Sequence, residues 1–287
     1  MTMRTWLVTG SSRGLGRALC EAILDAGDQL VATARSVAPL RDLLERAPDR
    51  CAVFALDVNN IAAVRAAMTF ATGRFGRLDV VVNNAGYGNI APIEDLAEDD
   101  FRAQIETNFF GTVNVTRAAV PLFRAQRSGH FVQISSIGGR AGAPGLGAYQ
   151  AAKWAVEGFS EVLAAEVKPL GVKVTIVEPG GFRTDWAGAS MTVPDIRADY
   201  DETVGGLARY LRATTGKEQG DPVKAAAAIL TIVEAEDPPL RLLLGSSAVQ
   251  IAERVDRERR ECDLAWRALS RSTDFDAEIG ALRSVEA

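Results

Sequence analysis

Short apolar runs rich in β-branched residues alternate along this chain with longer stretches of helical period. TWLVT (5–9) precedes GRALCEAILDAG, and QLVATA (29–34) precedes a helical pattern near 39–47. AVFALDV (52–58) precedes IAAVRAAMTFATGRFG, and LDVVVNNAG (78–86) precedes helical material over about 98–127. HFVQISS (130–136) precedes a helix over 149–168, and VKVTIVEPG (172–180) precedes a region of weak periodicity. Strands that are apolar throughout belong to a parallel sheet covered on both faces. Repeated strand–helix units predict a doubly wound α/β fold. No repeat, low-complexity tract or linker interrupts the pattern, so one domain is expected, with its core over about 5–185. Residues about 186–220 read as a mobile lid, because weak periodicity and scattered glycines suit a segment that moves. A highly charged amphipathic helix over about 246–270 opens a C-terminal extension that runs to 287.

The chain has 287 residues, 47% of them hydrophobic, which is enough for one substantial core. A net charge of −5 with no basic patch argues against nucleic acid or an anionic membrane as partner. Cys20, Cys51 and Cys262 are odd in number and far apart, and read as reduced thiols, neither a disulfide framework nor a zinc site. The first strand begins almost at once, which leaves no room for a signal peptide. No apolar run reaches the ~18 residues of a membrane helix. A soluble cytoplasmic protein is therefore expected.

The first candidate for chemistry is TGSSRGLGRAL, residues Thr9 to Leu19, placed where the first strand turns into a helix. Glycine allows a tight turn and close approach of backbone to a pyrophosphate. The helix N-terminus adds free N–H groups and a positive dipole end. Gly10, Ser12, Arg13, Gly14, Leu15 and Gly16 are the candidate nucleotide-binding residues of this turn. The second is GAYQAAKWAVEG (147–158), where Tyr149 and Lys153 lie one helical turn apart and share a face. A free phenol has a pKa of ~10 and is a poor acid–base catalyst near neutrality. A neighbouring cation stabilises the phenolate and lowers that value. The single histidine, His130, precedes an apolar strand and reads as structural. No nucleophile elbow supports a hydrolase triad, and metal-ligand spacing is absent.

The glycine spacing, Gly-x-x-x-Gly-x-Gly, resembles that of the short-chain dehydrogenase/reductase family. Further motifs follow in the order that family shows: Asp57 after the third strand, NNAG at 83–86, Asn108 in ETNFFGT, Ser136 in QISSIGG, YQAAK at 149–153 and PGGFRT at 179–184. The resemblance covers nearly two-thirds of the chain and weakens after Thr184. It implies a Rossmann-like sheet of seven strands and NAD(P)-linked hydride transfer at a carbonyl or alcohol. It implies that Tyr149 is the acid or base, that Ser136 holds the substrate oxygen and that Lys153 also binds the nicotinamide ribose. It further implies that Asn108 holds a water linking Lys153 to solvent. Asp57 and Val58 would flank the adenine, Asn84, Ala85 and Gly86 would line the coenzyme's path, and Pro179, Gly180 and Thr184 would contact it near the carboxamide or pyrophosphate.

An acidic residue at the end of the second strand binds a ribose 2′-hydroxyl and repels a 2′-phosphate. Here Ala34 falls at that position and Arg35 follows, with Arg13 in the glycine turn. Guanidinium groups without a carboxylate suit a phosphate dianion, so NADP(H) is expected in preference to NAD(H). EPGGFRTDW and the long C-terminal region resemble members described as retinol- or hydroxysteroid-dehydrogenase-like. The substrate is expected to be a small, hydrophobic ketone, aldehyde or alcohol, enclosed by the lid with Trp186 and Tyr200 as candidate contacts. Alternatives are reduction of a 3-ketoacyl group on an acyl carrier, and an NADP-binding sensor or scaffold. A homo-oligomer, dimer or tetramer, is expected.

Overall fold

A computed structural model describes residues 3–188 and 191–275. Seven strands form one sheet: β1 (Thr5–Thr9), β2 (Gln29–Ala34), β3 (Cys51–Ala55), β4 (Val80–Asn83), β5 (Gly129–Ile134), β6 (Val172–Pro179) and β7 (Arg241–Leu244). Their order is β3-β2-β1-β4-β5-β6-β7. Every pairing is parallel. Nine helices accompany them among the described residues: α1 (Gly14–Asp25), α2 (Arg41–Arg46), α3 (Ile61–Phe75), α4 (Glu98–Ile105), α5 (Gly111–Gln126), α6 (Gly147–Val167), α7 (Gly206–Thr214), α8 (Pro222–Glu234) and α9 (Ser246–Arg271).

The two faces of the sheet carry two cores, and successive residues of a strand divide between them, as the two-residue period of a strand requires. Trp6 and Val8 join α1 and α8 on one face, while Leu7 joins α3, α5 and α6 on the other. Level register aligns the strand ends: Val8 lies beside Ala32 and Val82, and Val82 beside Val132. The chain order reverses between β1 and β4, so a crevice opens beyond the carboxyl ends of these strands, the usual ligand position in such sheets.

Local sequence sets the helix ends. Asn60 caps α3 by accepting from the Ala63 amide at 3.0 Å, and Gly76, at φ +80°, stops it in the left-handed conformation. Asp221 caps α8, with Pro222 in its first turn. Several expected boundaries move. The third strand ends at Ala55 and not 58, the fourth at Asn83 and not 86, and the fifth at Ile134 and not 136. In each case the trailing residues leave the ladder to build the crevice. The seventh strand, implied by the resemblance, is the four-residue RLLL, too short to show its own alternation. Within the weakly periodic lid segment, Val204, Leu207, Ala208 and Leu211 follow the helical period and pack on one side of α7 and the wide turn before it. Twelve residues of the C-terminal extension, 276–287, lie outside the described residues, as do 189 and 190.

Candidate active site

Thr9, the last residue of β1, organises the floor of the crevice. Its hydroxyl donates to the Val82 carbonyl at 3.2 Å and accepts from the amides of Asn84 and Ala85 at 2.9 and 3.0 Å. The Asn84 side chain donates back to the carbonyls of Thr9 and Gly10, at 2.9 and 3.1 Å. Two strand ends are thereby locked together, and no space for side chains remains between them. A Cβ on Gly16 would lie 2.4 Å from both the Gly10 carbonyl oxygen and Asn84 Nδ2. Gly10, at φ +68°, could carry one only 2.9 Å from Ala85 Cα. Helix α1 starts after Arg13 with no capping side chain and no acidic residue in its first turn. Its first amides and its positive dipole end therefore remain available to an anion in the crevice.

Tyr149 and Lys153 are not on a solvated helix face. They are 7% and 5% exposed, which settles the ordinary alternative for a Tyr/Lys pair one turn apart. Lys153 Nζ donates to the Ile134 carbonyl at 2.8 Å and sits 5.7 Å from the Tyr149 ring centre. Ser136, just beyond β5, accepts from the Gly138 amide at 3.0 Å and lies near the Tyr149 phenol. Burial pushes the Tyr149 phenol up to about 12, and the Ser136 contact pulls against that rise. Burial also pulls the Lys153 ammonium down to about 8, opposed by the charge of Glu157. The expected depression of the phenol by its lysine is thus not a property of the bare chain. Desolvation dominates the phenol, and the same burial weakens the neighbouring cation.

Asn108 lies in a wide five-residue turn, Glu106–Phe110, between α4 and α5. Its side chain is wholly buried, accepts from the Tyr87 amide at 3.0 Å, and donates to the carbonyls of Tyr87 and Gln104 at 2.9 and 2.8 Å. These bonds fix the backbone that follows NNAG. A Cβ on Gly86 would lie 2.4 Å from Asn108 Oδ1 and 3.7 Å from Lys153 Nζ, so Gly86, Asn108 and Lys153 meet at one point. The Asn108 side-chain amide is thus fully engaged by main-chain partners.

Trp186 does reach the centre. Its ring centre is 5.1 Å from that of Tyr149, tilted by 55°, and both rings rest against the bare backbone of Gly88. Tyr200 does not reach it in the same way. It joins the same apolar cluster, but its hydroxyl donates to Glu94 at 2.9 Å at the surface. That cluster is built on Ile90, Leu146, Val204 and Ala208, with Trp186 and Leu211 at its edge, and is separate from the two sheet cores. Thr184 caps the turn at 185–187 and touches Gly14.

The remaining expected coenzyme contacts line the crevice unevenly. Ala34 is buried at the end of β2, Arg35 and Asp57 are exposed, and Asp57 accepts from the Asn59 amide at 3.0 Å. Val58 is buried against Gly111. Arg13, expected beside a ribose phosphate, pairs instead with Asp185 at 3.0 Å, across the glycine turn from the start of the lid. Both partners are about half exposed, so the pair contributes about 0–1 kcal/mol. Gly180 donates to the Leu244 carbonyl at 2.9 Å and has no room for a side chain beside Ser247. His130 lies at the opposite end of β5, is buried against Thr175, and is pulled down to about 3 by desolvation. It is a neutral core residue. Sequence reasoning passes over Thr9, Gly88, Ser135 and Glu157. Glu157 carries a usable signal, since it repeats the one-turn spacing beyond Lys153. Among the described residues no group of three His, Cys, Asp or Glu side chains could hold a metal. No helix there is long and apolar enough to cross a membrane.

Residues 4–193 match the family model for short chain dehydrogenases. The chain belongs to the short-chain dehydrogenase family. It is 49% identical over 268 residues to oxidoreductase BOA17 of Botryotinia fuckeliana, covering 93% of this chain and 98% of that one. The structure of a short-chain dehydrogenase from Streptomyces avermitilis superimposes with a TM-score of 0.88 at 41% identity, over 95% and 99% of the two chains. An alcohol dehydrogenase from Thermococcus sibiricus, complexed with 5-hydroxy-NADP, aligns with a TM-score of 0.70 at 26% identity, over 85% and 96%. The seven-stranded Rossmann-like architecture is thus the family's own, and this short-chain dehydrogenase is an oxidoreductase acting on CH–OH or C=O groups.

Proposed function

We propose that the protein interconverts an apolar ketone or aldehyde and its alcohol, with NADP(H) as coenzyme and Tyr149 as acid or base. The observation that carries this reading is the burial of Tyr149 and Lys153 together, one helical turn apart, with the Tyr149 ring covered by Trp186. The crevice fits a dinucleotide: side chains are excluded from Gly10 and Gly16, and the amides of α1 open onto that space. The lack of a carboxylate at Ala34, with Arg35 exposed beyond it, supports a 2′-phosphate. The relative that carries an NADP derivative is in keeping with this.

When bound, the coenzyme would supply or accept the hydride at the carbonyl carbon. The chain's own residues manage the oxygen. Ser136 would hold it by a hydrogen bond, and Tyr149 would donate its proton as the carbon–oxygen double bond becomes single. A phenol pushed up by burial is a reluctant acid, so the resulting phenolate needs a cation. Lys153 supplies one within a dry site, where charge acts more strongly than in water. Oxidation runs the same steps backwards, with the phenolate taking the proton. The apolar cluster around Trp186 and Leu146 supports a hydrophobic substrate and would exclude water from the reacting atoms.

The test is a panel of aliphatic, aromatic and cyclic carbonyls assayed with NADPH. Tyr149→Phe is expected to lower turnover by at least about a hundredfold, the scale of a lost general acid. NADPH affinity, followed by its fluorescence, should stay within about threefold, because only the hydroxyl is lost. Retention of more than about a tenth of wild-type turnover on a good substrate would falsify the assignment.

A further inference from the structure

Beyond Lys153, one further turn along α6, lies Glu157, only 4% exposed. Its Oε1 accepts from the Ser135 hydroxyl at 2.7 Å, and its Oε2 from Arg241 of β7 at 2.6 Å. Arg241 also binds Glu178 of β6 at 2.6 Å and Glu161 of α6 at 2.7 Å. Arg140 binds the other oxygen of the fully buried Glu178 at 2.6 Å. Its longer contact to Asp256 of α9, at 3.5 Å and exposed, adds little. Ser135 and Arg140 flank Ser136 in the loop after β5, so the network spans the catalytic loop, the catalytic helix and two strands.

A carboxylate in such a place is expensive, and apolar residues of similar volume hold elements together as well or better. The backbone is nevertheless built round it. A Cβ on Gly139 would lie 2.0 Å from Glu157 Oε1, so that glycine is required by the carboxylate. Charge is also out of balance, since two guanidinium groups face four carboxylates. Lys153, on the same face of α6, is the cation that reduces the imbalance.

We propose that Glu157 is a positioning residue for the reaction, its carboxylate held by Ser135 and Arg241 so as to keep the Lys153 ammonium charged beneath Tyr149. The charged and titratable groups facing Lys153 are Tyr149 and Glu157 from α6. The neutral Ile134 carbonyl, Gly86 and Asn108 face it from β5, the loop after β4 and the turn before α5. Facing Glu157 are Lys153, Ser135, Arg241, Glu161 and Glu178. Burial and the charge of Glu178 raise the Glu157 carboxyl, while its hydrogen bonds from Arg241 at 2.6 Å and Ser135 at 2.7 Å favour the ionised form. Its negative charge favours protonated Lys153, in opposition to the burial that brings that lysine to about 8. Loss of the carboxylate therefore lets the ammonium deprotonate at lower pH. The inference rests on the acid–base reading of Tyr149 and Lys153, but its test does not need turnover.

The chain has five lysines, so ε-¹³C-lysine NMR of the coenzyme-free protein resolves their titrations, with Lys153→Arg assigning the signal. Glu157→Gln is expected to lower the Lys153 midpoint by about one pH unit, the scale of a lost partner of opposite charge. Glu157→Asp, which keeps the charge at a changed distance, should fall between. The alkaline limb of kcat for carbonyl reduction should move down with the midpoint. A purely structural tie would lower kcat at every pH and leave both midpoint and limb in place. A Gln midpoint within about 0.3 pH unit of wild type overturns the proposal. If the Gln variant does not fold, an Asp midpoint equal to wild type does so. A shifted midpoint in a protein whose Tyr149→Phe variant still turns over would leave the coupling of Glu157 to Lys153 standing and remove its role in the reaction along with the reading of Tyr149.

Discussion

The floor of the crevice and the segment expected to be its lid are built by opposite means. In the floor, backbone lies on backbone: Gly10, Gly16 and Asn84 approach so closely that no side chain fits, and Thr9 ties both strand ends. In the lid, side chains lie on side chains. Val204, Ala208, Leu207 and Leu211 rest on Ile90 and Leu146, and few polar bonds attach the segment to the body. Ile90 donates to the Thr192 carbonyl, Thr192 to Asn89, and Arg197 pairs with Asp95. A part that meets an invariant ligand can be fixed by main-chain geometry. A part that meets a variable one is better made of replaceable apolar side chains, which tolerate change as long as volume and pattern hold.

One glycine from each region breaks or sharpens the contrast. Gly16→Ala forces a methyl group against the Gly10 carbonyl, a backbone atom that cannot swing away. Overpacking of this kind costs about 1–3 kcal/mol. The strain falls on the cradle, so NADPH affinity should drop by one to two decades, as read by fluorescence titration. Gly206 has helical backbone angles, and no atom lies within 4 Å of where its Cβ would stand. Gly206→Ala should leave coenzyme affinity unchanged and raise stability by about 0.5–1 kcal/mol, seen as a higher Tm. If the two alanines behave alike, the contrast between floor and lid is wrong.

Coenzyme choice sharpens the floor's side of the comparison. Ala34→Asp with Arg35→Ala places a carboxylate where the 2′-phosphate is proposed to lie and removes a guanidinium. A charge-assisted hydrogen bond contributes roughly 1.5–3 kcal/mol, so kcat/KM for NADPH should fall by about one to two decades relative to NADH. A wild type that already favours NADH contradicts the reading before any variant is made. Arg13 adds a smaller effect, because in this structure it holds Asp185.

Legibility follows the same division. Glycine spacing and NNAG are readable because main-chain crowding admits one residue type at each position. Tyr149, Lys153 and Ser136 are readable only as a set, and the structure brings all three to one point with Asn108 behind them. The lid leaves a fainter trace. Its helix, α7, hides within weak periodicity, although Val204, Leu207, Ala208 and Leu211 repeat at helical spacing. The four residues of β7 cannot be found by alternation, and the ion network they support cannot be found at all. Arg241 and Glu178 lie 63 residues apart and meet only through strand pairing. The sign of the Tyr149 shift is also beyond the sequence, since it depends on how deeply the phenol is buried.

The smallest effect expected belongs to Trp186, where floor and lid touch. Its ring covers Tyr149 at 5.1 Å and belongs to the lid cluster. An aromatic pair of this kind contributes about 0.5–1.5 kcal/mol beyond its buried area. Trp186→Ala should therefore raise KM for a hydrophobic carbonyl about threefold to tenfold and reorder a substrate panel, while NADPH affinity stays within about threefold. The same segment should exchange its amides faster than the sheet in the coenzyme-free protein. Its polar attachments are few, and Arg197 and the Tyr200 hydroxyl reach the body from the solvent side. Protection over 191–214 should rise when NADPH and substrate bind together, and rise less in Trp186→Ala, where the ring no longer bridges the two regions. High and equal protection of 191–214 and of β4 in the free, NADPH-bound and ternary proteins would show that the segment is a fixed wall, and the apolar cluster would then be a third core with no role in closure.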